Sequence, residues 1–168
     1  RSAAVVTAVG DDPFGRFCRA EMGRLGVFDD YVKVDGDLNT PVTFCEIFPP
    51  DNFPLYFYRR PTAPDLRLRT EDLPFDAIVQ ARVFWITTTG LSREPSRATH
   101  LAALKARGRR PFTILDLDYR AQFWSSPEAA RDAIAEVLPY VDIVVGNAAE
   151  CQVAVGESDP ERAAEALL

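Results

Sequence analysis

Apolar residues run along the chain in short blocks whose spacing switches between that of strands and that of helices. The first block, SAAVVTAVG at Ser2–Gly10, is short and rich in β-branched residues, which predicts a strand. The next, DDPFGRFCRAEMGRLG, sets Phe14, Phe17, Cys18, Met22 and Leu25 on one face at helical spacing. Asp12 stands where a helix cap belongs, Pro13 at the first helical position and Gly26 at the stop. YVKVD then reads as a second strand. Strand, helix, strand is the unit from which parallel sheets are built.

Between Thr40 and Arg60 the pattern changes. TPVTFCEIF and FPLYFYRR read as strands joined by the Pro-rich turn PPDN, which predicts an antiparallel hairpin. Phe44, Phe48, Leu55 and Phe57 are expected on one face and Ile47, Tyr56 and Tyr58 on the other. A hairpin apolar on both faces needs cover on both. The expectation is a lid whose outer face is available to a second subunit, giving a homodimer through the lid.

The earlier rhythm then returns. Val83–Thr87 is predicted as a strand, Glu94–Arg107 as a helix, PFTILDLD as a strand, and SSPEAARDAIAEVL as a helix with Ile134, Val137 and Leu138 inward. VDIVVGN follows as a strand, AAECQVAVG as a short helix, and DPERAAEALL opens another. The predicted organisation is an α/β main domain in two parts, residues 1–38 and 62–168, interrupted by the hairpin lid at 39–61. The first residues already read as a core strand and the last as mid-helix, so the expectation is the interior of a longer protein, incomplete at both ends.

Composition narrows the chemistry. With 168 residues, of which 47% are hydrophobic, the chain has material for a packed core. Its net charge of −6 lacks the basic footprint of a nucleic-acid binder. No apolar run approaches the ~18–20 residues of a membrane span, so neither nucleic acid nor membrane is an expected partner. Cys18, Cys45 and Cys151 are far apart and in no CxxC spacing, which fits reduced thiols and a cytoplasmic setting. A single histidine, His100, removes histidine triads and multi-histidine metal sites. Chemistry falls to carboxylates, arginine, tyrosine and backbone.

Five stretches carry candidates, each with a plain structural reading beside the chemical one. GDDPFG at Gly10–Gly15 is a strand-to-helix turn, readable as a capped helix with a glycine turn. DLDYR follows the apolar strand, where α/β sheets hold ligands; Arg120 there suits a carboxylate or phosphate, or forms an ordinary surface ion pair. GNAAE at Gly146–Glu150 has the spacing of a capping box, and the same geometry suits a phosphate with its cation. YFYRRP ends the hairpin with Tyr58 and Arg59, either a charged strand end that resists edge pairing or a cation and aromatic pair for an anionic substrate. TTTGLS at Thr87–Ser92 offers hydroxyls to a polyol, or makes a turn.

The order of these stretches resembles that of the ribokinase-like, phosphofructokinase-B-type carbohydrate kinases. Asp116, Arg120 and Trp124 match the D-x-N-x-R and Trp of the branch acting on keto-deoxy sugar acids, with Asp118 standing where that branch often has Asn. The resemblance implies an α/β sandwich with a mostly parallel sheet and a small β lid. It implies transfer of the ATP γ-phosphoryl group, with Mg²⁺, to the terminal hydroxyl of a sugar acid. The expected acceptor is 5-dehydro-2-deoxygluconate of inositol catabolism; the alternatives are 2-keto-3-deoxygluconate, or a non-catalytic binding module on this scaffold. By resemblance, Tyr58, Arg59, Gly90, Leu91 and Arg120 contact the substrate. Asp118, Arg120, Asn147 and Glu150 serve the nucleotide, with Glu150 and Asn147 also organising Mg²⁺. Thr43 departs from the pattern, since related kinases often carry Tyr on that strand. The family's glycine-rich substrate motif is expected before Arg1. Its G-A-G-D motif, which supplies the catalytic base, is expected after Leu168, so these residues alone are expected not to turn over.

Overall fold

The computed structural model describes residues 2–167, which divide into two compact units, Arg1–Leu68 and Arg69–Leu168. Among the described residues no helix is long and apolar enough to cross a membrane.

In the first unit the initial apolar block is broken into two short strands, β1 (Ala3–Ala4) and β2 (Thr7–Gly10). Helix α1 (Pro13–Arg24) follows, then β3 (Val27–Phe28) and β4 (Val32–Asp35). β1 pairs with β3 and β2 with β4, both parallel. Asp12 caps α1 by accepting from the Gly15 amide, and Gly26 takes the positive φ of 74° at its far end, a conformation glycine adopts without penalty. The apolar face predicted for α1 is present but uncovered: Phe14, Phe17 and Leu25 are exposed, and Gly15 is the helix residue that is buried.

The predicted hairpin forms from β5 (Val42–Cys45) and β6 (Leu55–Tyr58), antiparallel and closed by a bridge between Phe48 and Asn52. Its faces need correcting. Phe44 lies opposite Tyr56, so it shares the face of Tyr56 and Tyr58 rather than that of Leu55 and Phe57. The rings of Phe44 and Tyr58 meet edge to face, with centroids 5.5 Å apart. Side chains alternate strictly along a strand, so counting inward from the turn by one residue too many moves a residue to the wrong face.

The second unit carries α2 (Phe75–Gln80), β7 (Phe84–Thr87), α3 (Ser96–Arg107), β8 (Thr113–Asp116), α4 (Pro127–Val137), β9 (Ile143–Val145), α5 (Ala148–Val155) and α6 (Pro160–Leu167). β7, β8 and β9 form a parallel sheet in that order. Ile86, Leu115 and Val144 are in register and pack with Leu104, Ile134 and Val137 in one core. The other face presents Trp85 and Ile143 to solvent. α2, six residues long, falls in a stretch where no helix is predicted. The register also aligns the carboxyl ends of the strands, with Thr87 beside Asp116 and Asp116 beside Val145. Three connecting segments therefore leave the sheet from one edge.

Candidate functional site

Those three segments supply the candidate site of the second unit. From β7 comes a 3-10 turn, Thr88–Leu91. The Thr88 hydroxyl donates to the Leu117 carbonyl, which fastens the first segment to the second. The Thr89 hydroxyl donates to Asp118 Oδ2 at 3.1 Å.

After β8 the chain turns through Asp118, whose φ is +25°. Aspartate and asparagine enter positive φ more readily than other side-chain-bearing residues, so exchanging Asn for Asp at this motif position preserves the backbone while adding a charge. Asp116 Oδ1 accepts the Asp118 amide at 3.2 Å; this carboxylate fastens the turn. Arg120 then reaches back, its Nη2 2.6 Å from Asp118 Oδ1. Its Nη1 donates to the Tyr119 carbonyl and lies 3.5 Å from Glu150 Oε1.

The third segment follows β9. The Asn147 side chain accepts the Glu150 amide at 3.0 Å, and Glu150 Oε2 accepts the Asn147 amide at 3.0 Å. This is a complete capping box at the start of α5. The structural reading of GNAAE is therefore correct, and it does not exhaust the residues. Glu150 is 8% exposed, and its second oxygen faces Arg120. Gly146 lets the third segment pack against the second, because a Cβ there would lie 2.7 Å from the Leu117 side chain.

Arg120, Asp118, Asn147 and Glu150 are thus brought together at the ends of adjacent parallel strands. The guanidinium and the helix N-terminus supply donors for an oxyanion, while the two acids paired with Arg120 leave the cluster net negative, so a multiply charged anion there needs a cation beside it. Among the described residues no group of three or more His, Cys, Asp or Glu side chains is placed to hold a metal ion. Mg²⁺ is commonly held by one or two carboxylates with substrate phosphates and water. For that role Glu150 offers Oε1, shared with Arg120 Nη1 at 3.5 Å, since its Oε2 accepts the Asn147 amide, and the side-chain oxygen of Asn147 is likewise engaged by the Glu150 amide.

Gly90 and Leu91 lie in the turn after β7. Leu91 is 1% exposed and belongs to the core. A Cβ on Gly90 would lie 2.3 Å from the His100 ring, so Gly90 is where turn and helix α3 pack closely. Tyr58 and Arg59 belong to the first unit. Tyr58 is 66% exposed; Arg59 Nη2 bonds Asp65 Oδ2 at 2.6 Å. Thr89 is the residue of the site whose contact the sequence reading did not specify, although it lies within the TTTGLS run.

The profile described as pfkB family carbohydrate kinase matches residues 1–168. A probable fructokinase-3 of Arabidopsis thaliana is 32% identical over 143 residues, covering 84% of this chain and 41% of that protein. A 5-dehydro-2-deoxygluconokinase of Photobacterium profundum is 32% identical over 170 residues, covering 97% of this chain and 51% of that protein. In structure the chain is similar to a fructokinase of Vibrio cholerae O395 crystallised with fructose, ADP and a calcium ion. The TM-score is 0.83 at 22% identity, over 99% of this chain and 53% of that one. The chain therefore spans about half the length of these relatives.

Proposed function

The chain belongs to the pfkB family of carbohydrate kinases, and from that premise we propose that the whole protein is an ATP-dependent sugar-acid kinase acting on the terminal hydroxyl of 5-dehydro-2-deoxygluconate. The observation that carries this reading is Arg120 clasped between Asp118 and Glu150 at the aligned strand ends. Phosphoryl transfer asks the protein chiefly for positioning and charge neutralisation. In this reading Arg120 neutralises the substrate carboxylate and the nucleotide phosphates. Asp118 and Glu150 hold the guanidinium fork in orientation, and Asn147 fixes Glu150 at the helix terminus. Mg²⁺, when bound with the phosphates, supplies further neutralisation of their charge, with Glu150 as the acid that would meet it.

The roles of Tyr58, Arg59, Gly90 and Leu91 as sugar contacts rest on the family resemblance. For Leu91 a contact would come from its backbone, since the side chain is in the core. Residues 39–61 act as the lid in this reading, excluding water that would otherwise accept the phosphoryl group. Its exposed aromatic surface suits a second copy of the chain, giving a homodimer, and a cytoplasmic setting fits reduced cysteines.

The sugar-acid assignment is supported by the D-x-D-x-R motif with its following Trp124 and by the relative from Photobacterium profundum. A fructokinase is as similar in identity, which favours a neutral ketose as the second reading. The test is ADP release by the whole protein with Mg-ATP and 5-dehydro-2-deoxygluconate, 2-keto-3-deoxygluconate or fructose. The first should have the highest kcat/KM by about tenfold or more, a margin of ~1.4 kcal/mol in transition-state binding. A higher value for either other sugar reassigns the substrate. Activity with neither sugar acid in a folded, ATP-binding protein contradicts the sugar-acid assignment.

A further inference from the structure

The G-x-D-x-x-G turn of the first unit does more than cap a helix. Asp12 uses both carboxylate oxygens. Oδ1 accepts the Gly15 amide at 2.8 Å, and Oδ2 accepts the Thr40 amide at 2.6 Å. Thr40, 28 residues later, is buried, and its hydroxyl accepts the Gly10 amide at 2.9 Å. The two glycines make the room. A Cβ on Gly10 would stand 2.4 Å from the Leu38 carbonyl oxygen and 2.6 Å from the Thr40 nitrogen. A Cβ on Gly15 would stand 2.1 Å from the Gly10 carbonyl oxygen and 2.9 Å from the Thr40 hydroxyl. No residue with a side chain fits either place without moving backbone.

Thr40 is two residues before β5, and Val42, the first residue of that strand, pairs with Tyr58, the last of β6. The outgoing end of the hairpin is tied separately, by Arg59 to Asp65 at 2.6 Å. We propose that Asp12 is a positioning residue for the hairpin, its second oxygen fixing where the strands leave the body of the first unit. Burial acts to raise the carboxyl's pKa, but hydrogen bonds from Gly15 and Thr40 outweigh it and hold the group below its ordinary value. It is therefore ionised at neutral pH, and both bonds are charge-assisted. The functional half of the inference rests on the lid reading; the structural half does not.

The two oxygens can be separated by substitution. In Asp12→Ser the hydroxyl replaces the acceptor for the Gly15 amide, since serine is as good a cap as aspartate, but no oxygen remains for Thr40. Hydrogen exchange and steady-state kinetics on the whole protein read the result. Amides of β5 and β6 should exchange about tenfold faster while those of α1 stay within about twofold. KM for the sugar should rise about fivefold, with KM for ATP and kcat nearly unchanged. Unchanged hairpin exchange overturns the proposal, and faster exchange with an unchanged sugar KM overturns its functional half. Equal loss of protection in α1 and the hairpin, which is what a cap alone would give, overturns the proposal as well. If the wild-type protein phosphorylates no sugar, the kinase reading fails by that measurement and the exchange comparison alone decides the tie.

Discussion

Arg107 ends α3 with 2% of its surface exposed. Its four hydrogen bonds go to neutral oxygens: the Thr113 hydroxyl and the carbonyls of Ile78, Ala81 and Pro111. The guanidinium also lies over the Phe84 ring, 5.7 Å from its centroid. Burial lowers its pKa and the charge of Arg110 adds to that, against the pull of Asp142. One side chain thus closes the carbonyls at the end of α2 and of the segment before β8. Arg107→Met removes the donors and leaves buried acceptors unanswered, so unfolding free energy should fall by about 2–4 kcal/mol. Exposed Arg109→Ala should stay within about 0.5 kcal/mol. Denaturant titration of both variants in the whole protein checks this, and equal midpoints would refute the role. None of it is legible in KARGRR, where every basic residue looks alike and burial depends on contacts far along the chain. Asn147 and Glu150 are legible because a capping box is a three-residue spacing. The positive φ of Asp118 and its bond to Thr89 are not, because 29 residues separate the partners.

At the scale of elements, β2, β4, the hairpin, the strands of the second unit and helices α1, α3 and α4 follow from apolar runs, with caps legible for α1 and α4; the two-residue β3 and the break between β1 and β2 do not. α2 escapes because FDAIVQ is shorter than two helical turns and offers no periodicity to read. The hairpin is legible as strand, turn, strand, but its register is not, which is why the pattern places Phe44 on the wrong face. The hairpin also carries the prediction about assembly. Phe44, Leu55, Tyr56 and Tyr58 are all exposed, so both of its faces carry uncovered large apolar side chains, a surface that soluble monomers seldom leave bare. Sedimentation equilibrium of the whole protein should give a dimer at micromolar concentration, dissociated by Phe44→Glu with Tyr58→Ser. A monomer across that range, or a dimer indifferent to the double substitution, would remove the hairpin as the interface.

For the molecule as a whole, the family match spans every residue of the chain, and the relatives it matches are about twice as long. The strand, helix and motif order was enough to identify the family from sequence. The meeting of its parts was not visible there, because Arg120 and Glu150 are 30 residues apart and converge through the β8–β9 register. In the proposed function this convergence handles charge on substrate and nucleotide. Its most direct test is kcat/KM for sugar-acid phosphorylation by the whole protein carrying Arg120→Ala, beside Arg109→Ala as control. Arg120→Ala should lose about a hundredfold or more, ~2.7 kcal/mol of transition-state stabilisation, and the control less than about twofold. Equal and mild losses in both would contradict it.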